Sequence, residues 1–505
     1  MNKTMSRRDF TLGTLAAAGG LAAARAAMPK SDLTQLYSEA DALTLAEHVR
    51  AGDVSPAELL EEAIARTERV NPKINAVTSK HFELARAYVR AQPLPKGPLR
   101  GIPFLLKDLG ARLAGTVTTG GSRLLKGIEA PQDDVLTQRY KQAGLVIFGK
   151  TNTPEFGMAL TTEPYLFGAC RNPWNLEHST AGSSGGAAAA VAAGIVPMAN
   201  ATDGGGSIRV PAAACGLFGL KPTRALTPRA VGPSMMSVSH VISRSVRDSA
   251  AALDVTAGYA PGLPFVSPEP VGGYRLAVSQ APEPLRVALV TDEPNLRLHP
   301  DVAAAIDKVA KKLEELGHRV EEAAPGVDFD RLNQAQNTMI LAEFSQGMQS
   351  LASAIGRPLD ASTLERLSLE FVEVGAATSA TEYVAAWEHV QSVTRSLAGF
   401  FERYDLMLSP VTVTPPPKLG VINEQPEDNH QQFVDRFRTY SAYTPLQNLT
   451  GVPAASLPVG LSKDGLPVAA MISAGLGHDA RILAVSAQLE QALPFERRRP
   501  PVYAG

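Results

Sequence analysis

The sequence predicts an α/β protein built on a mixed β-sheet flanked by helices, and two patterns carry that prediction. A run over 285–290 that is apolar except for Arg286 precedes apolar residues at helical spacing over 302–316, and a second strand starts at Arg319. Strand, helix and strand in this order are typical of a βαβ unit with parallel strands. Residues 455–472 carry two apolar runs around a central Asp-Gly pair, which predicts an antiparallel hairpin.

The bulk properties suit a large globular protein and exclude some functions. The chain has 505 residues, of which 45% are hydrophobic and 19% charged, with a formal net charge of -2. Its length allows a large core. Its nearly balanced charge gives no excess of basic residues that would indicate binding to nucleic acid or acidic lipid. Cys170 and Cys215 are the only cysteines, and the nine histidines show no metal-ligand spacing. We therefore expect neither a metal site nor a nucleic-acid partner.

The N-terminus predicts export. Residues 6–10 read SRRDF, a twin-arginine pattern, and a weakly apolar run follows it up to the small-x-small site at 24–26. We expect residues 1–26 to be a signal peptide for a folded cargo, and 27–505 to be a single catalytic domain in the periplasm or outside the cell. An uncleaved anchor helix is the alternative, but the run is shorter than the ~20 residues that span a bilayer. We expect no stable membrane anchoring.

The clearest helix signals lie over residues 55–70. Ser55 suits an N-cap, Pro56 the first helical position, and Glu58 completes a capping box. Pro72 is expected to stop the helix.

Two longer stretches carry no chemical motif. Residues 261–284 contain six prolines and are predicted to form an extended surface loop. Residues 330–400 favour helices without a recognisable chemistry.

A P-loop pattern lies inside a predicted strand. Residues 144–151 fit G-x-x-x-x-G-K-[ST], in which the middle positions of a true P-loop cradle phosphate with their amides. Here those positions are the apolar run 145–148, preceded by a helix-like stretch over 133–143. We interpret the run as a core strand and not as a phosphate site.

The stretch HSTAGSSGG, residues 178–186, raises the question of the nucleophile. Its last five residues fit G-x-S-x-G around Ser184, the pattern of a nucleophile elbow. An elbow needs a buried strand directly before the serine, and residues 172–181 show no apolar alternation. The missing strand argues against an elbow. The Ala-rich stretch 186–194 predicts a helix, so the serine pair is expected at a helix N-terminus.

A second glycine-rich turn follows within ATDGGGSIRVPAAACG, residues 201–216. A strand is predicted over 195–201 and a helix start over 208–214, with Asp203, three glycines and Ser207 between them. Consecutive glycines can point backbone N–H groups into one space beside the positive end of a helix, as an oxyanion hole requires. On the local pattern alone, a structural turn or an anion-binding loop is an equal alternative.

The third motif is GIPFLLKD, residues 101–108, with Lys107 at the end of an apolar strand. Partial burial there would lower the pKa of the lysine and let it serve as a base. A surface lysine that snorkels to water is the common alternative.

These three motifs together resemble the amidase signature family. The resemblance runs in family order through the stretches 107–108, 182–186, 202–212, 219–223, 245–248, 448–453 and 464–467. It implies the amidase-signature fold and an amidase that needs no cofactor. The product would be a carboxylate plus ammonia or an amine, released through a serine acyl-enzyme.

The resemblance also implies roles within the site. Ser207 would be the nucleophile, and Ser183, with an unusual cis peptide bond, would pass protons between Ser207 and a neutral Lys107. The oxyanion-hole amides would come from Gly204, Gly205, Gly206 and Ser207.

Four further positions are implied as support or lining. Ser184 would hydrogen-bond in support, and Asp203 and Arg209 would fix the loop. Met158 would face the acyl pocket, with plain core packing as its alternative. The stretches 149–157 and 171–175 look most like members that act on aliphatic or cyclic amides, such as the 6-aminohexanoate cyclic-dimer hydrolases.

The chain departs from the family pattern in three places. Ala181 and Ala201 stand where the family usually has glycine, and Arg224-Ala225-Leu226 replaces the usual x-Gly-Arg. None of these is a catalytic position, so the expected activity stands and the substrate is left open.

Two competing hypotheses remain. The first is the glutaminase subunit of a tRNA-dependent amidotransferase, against which the export signal and the lack of a basic tract argue. The second is a non-catalytic binding protein on the same fold, against which the three intact catalytic positions argue. The expected partner is a small-molecule amide.

Overall fold

The computed structural model describes residues 29–91, 93–228, 236–263, 265–291, 296–494 and 498–505. The predicted signal peptide, residues 1–26, lies outside these ranges and stays a prediction. The strands are β1 Val77–Lys80, β2 Pro103–Lys107, β3 Val146–Thr151, β4 Arg171–Asn172, β5 Asn175–Ser179, β6 Met198–Asp203, β7 Phe218–Lys221, β8 Val238–Ser243, β9 Arg286–Leu289, β10 Arg319–Glu322, β11 Leu406–Pro410, β12 Ala454–Leu461 and β13 Pro467–Ser473. The helices are α1 Lys30–Glu39, α2 Ala42–Ala51, α3 Pro56–Ile74, α4 Phe82–Ala91, α5 Val135–Gln142, α6 Gly185–Ala192, α7 Arg209–Cys215, α8 Val246–Thr256, α9 Tyr274–Val278, α10 Pro300–Glu315, α11 Phe329–Ile355, α12 Arg366–Ala377, α13 Ala380–Arg403, α14 His430–Tyr440, α15 Pro445–Thr450 and α16 Asp479–Ala492.

Eleven strands form one mixed sheet in the order β1-β3-β2-β6-β8-β7-β12-β13-β11-β9-β10. Strands β9 and β10 are parallel, with α10 between them in the chain, and β12 and β13 form the antiparallel hairpin. Both patterns behind the fold prediction are therefore confirmed. A central mixed sheet flanked by helices is the predicted α/β architecture.

The sheet brings the chemical motifs to one edge. Strand β2 lies parallel between β3 and β6, and every residue of β2 and β6 is buried. Lys107 is the last residue of β2 and Asp203 the last of β6. Because parallel strands end on the same edge of a sheet, the lysine and the glycine-rich turn after Asp203 meet there.

Helix α3 confirms the predicted start and corrects the predicted end. The Ser55 side chain accepts from the Glu58 N–H, and the Glu58 carboxylate accepts from the Ser55 N–H. The expectation that Pro72 stops the helix was wrong, because α3 runs to Ile74 and ends where Asn75 adopts a φ of 50°. A proline so near the helix end removes one hydrogen bond without breaking the last turn, and asparagine tolerates the left-handed conformation that ends it.

Three other stretches differ from the expectation or refine it. The proline-rich stretch 261–284 contains the short helix α9. A strand, β5, does precede the serine pair, but only its last residue is buried, and it pairs with β4 in a separate ribbon and forms one bridge from His178 to Lys418, so it is not the buried strand of an elbow. The P-loop-like residues form the buried strand β3, which excludes a phosphate-binding loop there.

Among the described residues, no helix has the length and apolar character needed to cross a bilayer.

Candidate active site

Lys107 is buried at the end of β2 and points at two hydroxyls. Its side chain is 0% exposed, and Nζ lies 2.7 Å from Ser183 Oγ and 2.9 Å from Thr202 Oγ1. The Lys107 backbone N–H donates to Asn200 Oδ1 on the neighbouring strand β6. The lysine is therefore the buried strand-end residue that the sequence predicted, and the snorkelling alternative is excluded.

The serine pair divides into two different environments. The Gly182–Ser183 peptide bond is cis, as the resemblance implied, and Ser183 Oγ meets the lysine. Ser184 turns to strand β6, where its Oγ donates to the Thr202 carbonyl at 3.2 Å and accepts from the Thr202 N–H at 3.3 Å. Ser184 is fully buried and ties the serine loop to the strand that leads into the glycine turn.

Hydrogen bonds to the Asp203 carboxylate hold the glycine turn in place. This buried carboxylate accepts from the Gly206 N–H at 2.6 Å, the Ile208 N–H at 3.2 Å and Arg209 Nε at 2.9 Å. Burial by itself would raise the pKa of the Asp203 carboxyl. The positive charge and hydrogen bonds of Arg209, together with Lys221 and the side-chain amide of Asn448, hold that pKa well below its ordinary value. Asp203 is thus a fixed anion that folds the turn around itself.

Arg209 fastens the turn to helix α15. Its guanidinium donates to Gln447 Oε1 at 2.9 Å, to the Thr444 carbonyl at 2.9 Å and to Asn448 Oδ1 at 2.5 Å. The Thr444 hydroxyl in turn donates to the Gly205 carbonyl at 2.6 Å. Both charges of the buried Asp203–Arg209 pair are well hydrogen-bonded, which is the condition under which such a pair holds a local structure.

Gly206 is a glycine for a steric reason. Its φ is 134°, a conformation that side chains rarely adopt. A Cβ added there would lie 2.9 Å from Val210 Cγ2 and would overlap the Thr444 hydroxyl. The turn therefore closes on its neighbours too tightly for any larger residue.

Gly206→Ala should destabilise the protein by about 2 kcal/mol or more, because the added methyl meets positive φ and packed atoms together. Gly204→Ala is the matched control, since its Cβ would find only ordinary contacts at 3.6 Å with Ser237. Urea unfolding of both variants measures the difference. Equal stability of the two variants would contradict the steric account of this turn.

A cavity of about 360 Å³ opens above the turn. We call it the serine cavity, because Ser183 and Ser207 both line it, as do Thr202, Gly204 and Gly205. Ser207 is 7% exposed, so a small molecule in the cavity can touch it. Met158 also lines the cavity and packs against a hydrophobic cluster, and its contact with the acyl group stays a prediction.

Helix α11 forms the opposite wall of the serine cavity, which sequence reasoning missed. Side chains at helical spacing face inward, with the amides Asn333 and Gln336 at the N-terminal end. Further on, Ile340 and Phe344 are apolar and Glu343 is a buried carboxylate. An alanine Cβ at Gly205 would meet Gln336 Nε2 at 3.3 Å, so this wall reaches the glycine turn. The periodic amides and apolar residues of α11 were the signal available in the sequence.

A second buried lysine stands near Lys107. Lys150 Nζ donates to the Val117 carbonyl at 2.7 Å, and burial lowers the pKa of Lys150 to about 8. Burial raises the pKa of Asp108 to about 6, against the opposing effects of its Thr119 hydrogen bond and of Lys150. Lys150 thus holds the loop after β2 by a hydrogen bond to its backbone and does not form a phosphate site.

No group of three or more His, Cys, Asp or Glu within the described ranges is arranged to hold a metal ion.

Comparison with known proteins shows the family. The amidase family model matches residues 58–483. The 6-aminohexanoate-cyclic-dimer hydrolase of Paenarthrobacter ureafaciens is 38% identical over 94% of this chain and 98% of its own. A structure of 6-aminohexanoate cyclic dimer hydrolase complexed with substrate matches with a TM-score of 0.86 and 36% identity, over 92% of this chain and 99% of that one. A bacterial aryl acylamidase of the amidase signature family matches with a TM-score of 0.82 and 29% identity, over 91% and 99% of the two chains. The chain therefore belongs to the amidase family, and it is an enzyme that hydrolyses amide C–N bonds.

Proposed function

We propose that Ser207 attacks the amide carbonyl and that Ser183 and Lys107 move the protons. The observation that carries the proposal is the 2.7 Å contact between Lys107 Nζ and Ser183 Oγ in the wall of the cavity that Ser207 also lines. A serine hydroxyl is a weak nucleophile until a base takes its proton. Of the two hydroxyls beside Lys107, Ser183 Oγ is the closer, at 2.7 Å against 2.9 Å for Thr202 Oγ1, and we assign it the relay of the proton from Ser207 to Lys107.

Lys107 can act as the final base only as a neutral amine. It is fully buried at the end of an apolar strand, and burial disfavours a charged amine. The Ser183 and Thr202 hydroxyls supply its hydrogen bonds in place of water. A protonated Lys107 would then return a proton through Ser183 to the leaving nitrogen, and water would repeat the sequence on the acyl-enzyme.

The glycine turn supplies the oxyanion hole in this proposal, with one change from the set that the resemblance implies, Gly204, Gly205, Gly206 and Ser207. The Gly206 N–H already donates to the Asp203 carboxylate at 2.6 Å. We therefore place the hole on the amides of Gly204, Gly205 and Ser207, and give Gly206 the task of closing the turn. Fixed amide dipoles stabilise the developing oxyanion without reorganisation.

We propose aliphatic amides, linear or cyclic, as the substrates. The serine cavity is mostly apolar, with side chains such as Phe156, Met158 and Phe344, which suits an alkyl chain beside the scissile amide. The similarity to the cyclic-dimer hydrolase, over almost the whole of both chains, supports the same substrate class.

The purified protein should hydrolyse simple aliphatic and aryl amides without ATP, tRNA or a second subunit. A panel of such amides, with products detected by mass spectrometry, tests this expectation. A glutaminase subunit would need its partner, and a binding protein would turn over nothing. No turnover of any panel member would count against the proposed function.

We further propose that the enzyme works in the periplasm or outside the cell. The twin-arginine pattern at Arg7 and Arg8 and the small-x-small site at 24–26 support export. Replacing Arg7 and Arg8 by lysine should keep the enzyme in the cytoplasm, with a mature N-terminus near Ala27 seen only for the parent. Unchanged periplasmic amidase activity in the double variant would refute the assignment.

A further inference from the structure

A second cavity, of about 350 Å³, adjoins the serine cavity. We call it the outer chamber. Its walls come from α11, from the end of α12 and from α14. Four residues line both cavities, namely Asn337, Leu341, Val434 and Arg438.

Helix α11 lies between the serine cavity and the outer chamber and contributes side chains to the walls of both. Asn333, Gln336 and Ile340 face the serine cavity, whereas Gln334 and Thr338 face the outer chamber. An α-helix turns by ~100° per residue, so these positions form two adjacent stripes.

Asn337 and Leu341 lie on the boundary between the stripes, four residues apart on one helix face. The facing pair, Val434 and Arg438, has the same spacing on α14. The boundary therefore combines two apolar residues of one hydrophobic cluster, Leu341 and Val434, with two polar residues, Asn337 and Arg438.

The chemistry of the outer chamber differs from that of the serine cavity. It has the carboxamides Gln334, Asn337 and Gln431 and two hydroxyls. Carboxylates already engage three of its polar groups: Arg438 pairs with Asp330, His430 Nδ1 lies 2.9 Å from Glu370 Oε1, and the Gln431 amide donates to Asp435. A chamber of paired charges and carboxamides suits a neutral ligand that both donates and accepts hydrogen bonds, as another amide group does.

We infer that the outer chamber binds the distal part of an extended substrate that carries a second amide group, while the scissile amide lies at Ser207. The substrate class is then an oligoamide chain, whose apolar segment crosses the serine cavity and whose next amide meets the carboxamides of α11 and α14. This inference rests on the proposed function and adds a binding site to it.

The test uses N-hexylhexanamide and two longer relatives with a second amide, one in the acyl chain and one in the amine chain. Alkyl homologues of the same lengths without a second amide separate chain length from amide recognition. Gln334→Trp fills the outer chamber from its solvent side. Gln346→Trp is the matched control, since it is an exposed glutamine on the same helix outside both cavities.

Gln334→Trp should lower kcat/KM for one of the two diamides by at least about tenfold, because hydrogen bonds to its second amide are lost. Turnover of N-hexylhexanamide should stay within about twofold, and Gln346→Trp should resemble the parent on every substrate. If Gln334→Trp folds poorly, Gln334→Ala should show a smaller loss on the same diamide.

Two results would overturn the inference: unchanged kcat/KM for both diamides in the Gln334 variants, or a parent enzyme that prefers the alkyl homologues to the diamides. Failure of the proposed function looks different, because the parent enzyme would then cleave no amide at all.

Discussion

Ser207→Ala should lower amide turnover by at least about 10⁴-fold, the scale on which loss of a serine nucleophile acts. The residue is slightly exposed in the serine cavity, and removal of one hydroxyl there leaves the turn held by Asp203 and Arg209. Stability should therefore change by less than about 1 kcal/mol. Steady-state kinetics and urea unfolding of the same preparation give both numbers.

Ser184→Ala is the matched control for the nucleophile. It loses two hydrogen bonds to the Thr202 backbone, so strand β6 should be held less firmly. Activity should therefore fall, but it should not be abolished. Activity lost in Ser184→Ala and kept in Ser207→Ala would restore the nucleophile-elbow hypothesis.

Lys107→Ala should separate amides from activated esters. An amide needs two proton transfers, one from the attacking serine and one to the poor leaving amine, whereas an activated ester barely needs the second. Positioned acid–base groups contribute ~10²–10⁴-fold each. Amide turnover should fall by at least that range, and ester turnover distinctly less, on substrates that share one acyl group.

The pH profile gives the same variant a second readout. Activity of the parent should rise with pH as Lys107 loses its proton, since only the neutral amine accepts one, and the variant should lose that limb. Lys150 is a rival origin for the limb, because burial lowers its pKa to about 8. Lys107→Met keeps the bulk of the side chain and controls for the cavity left by alanine. Equal losses on amide and ester, with the limb retained, would make Lys107 structural only.

The elements with strong local signals could be predicted from the sequence. The capping box at Ser55 and Glu58 concerns atoms three residues apart, so nothing distant decides it. Pro72 failed as a stop because the helix end is set by Asn75, which the proline pattern does not contain. The site motifs could be placed together only through their resemblance to the amidase signature family, and the structure shows the reason: β2 and β6 are parallel neighbours that end on the same edge.

The far wall of the site could not be predicted in the same way. Helix α11 lies more than one hundred residues beyond Ser207 in the chain, and its inward face mixes amides with apolar side chains. Only tertiary packing shows that Gln336 approaches Gly205. The resemblance implies the Gly206 N–H for the oxyanion hole, and the motif does not show that the Asp203 carboxylate accepts from this N–H.

Labelling with a fluorophosphonate, followed by peptide mapping, identifies the nucleophilic serine. We expect one adduct per chain, located on Ser207, present in Ser184→Ala and absent from Ser207→Ala. An adduct on Ser183 or Ser184 in the parent, or continued labelling of an active-site serine in Ser207→Ala, would contradict this assignment.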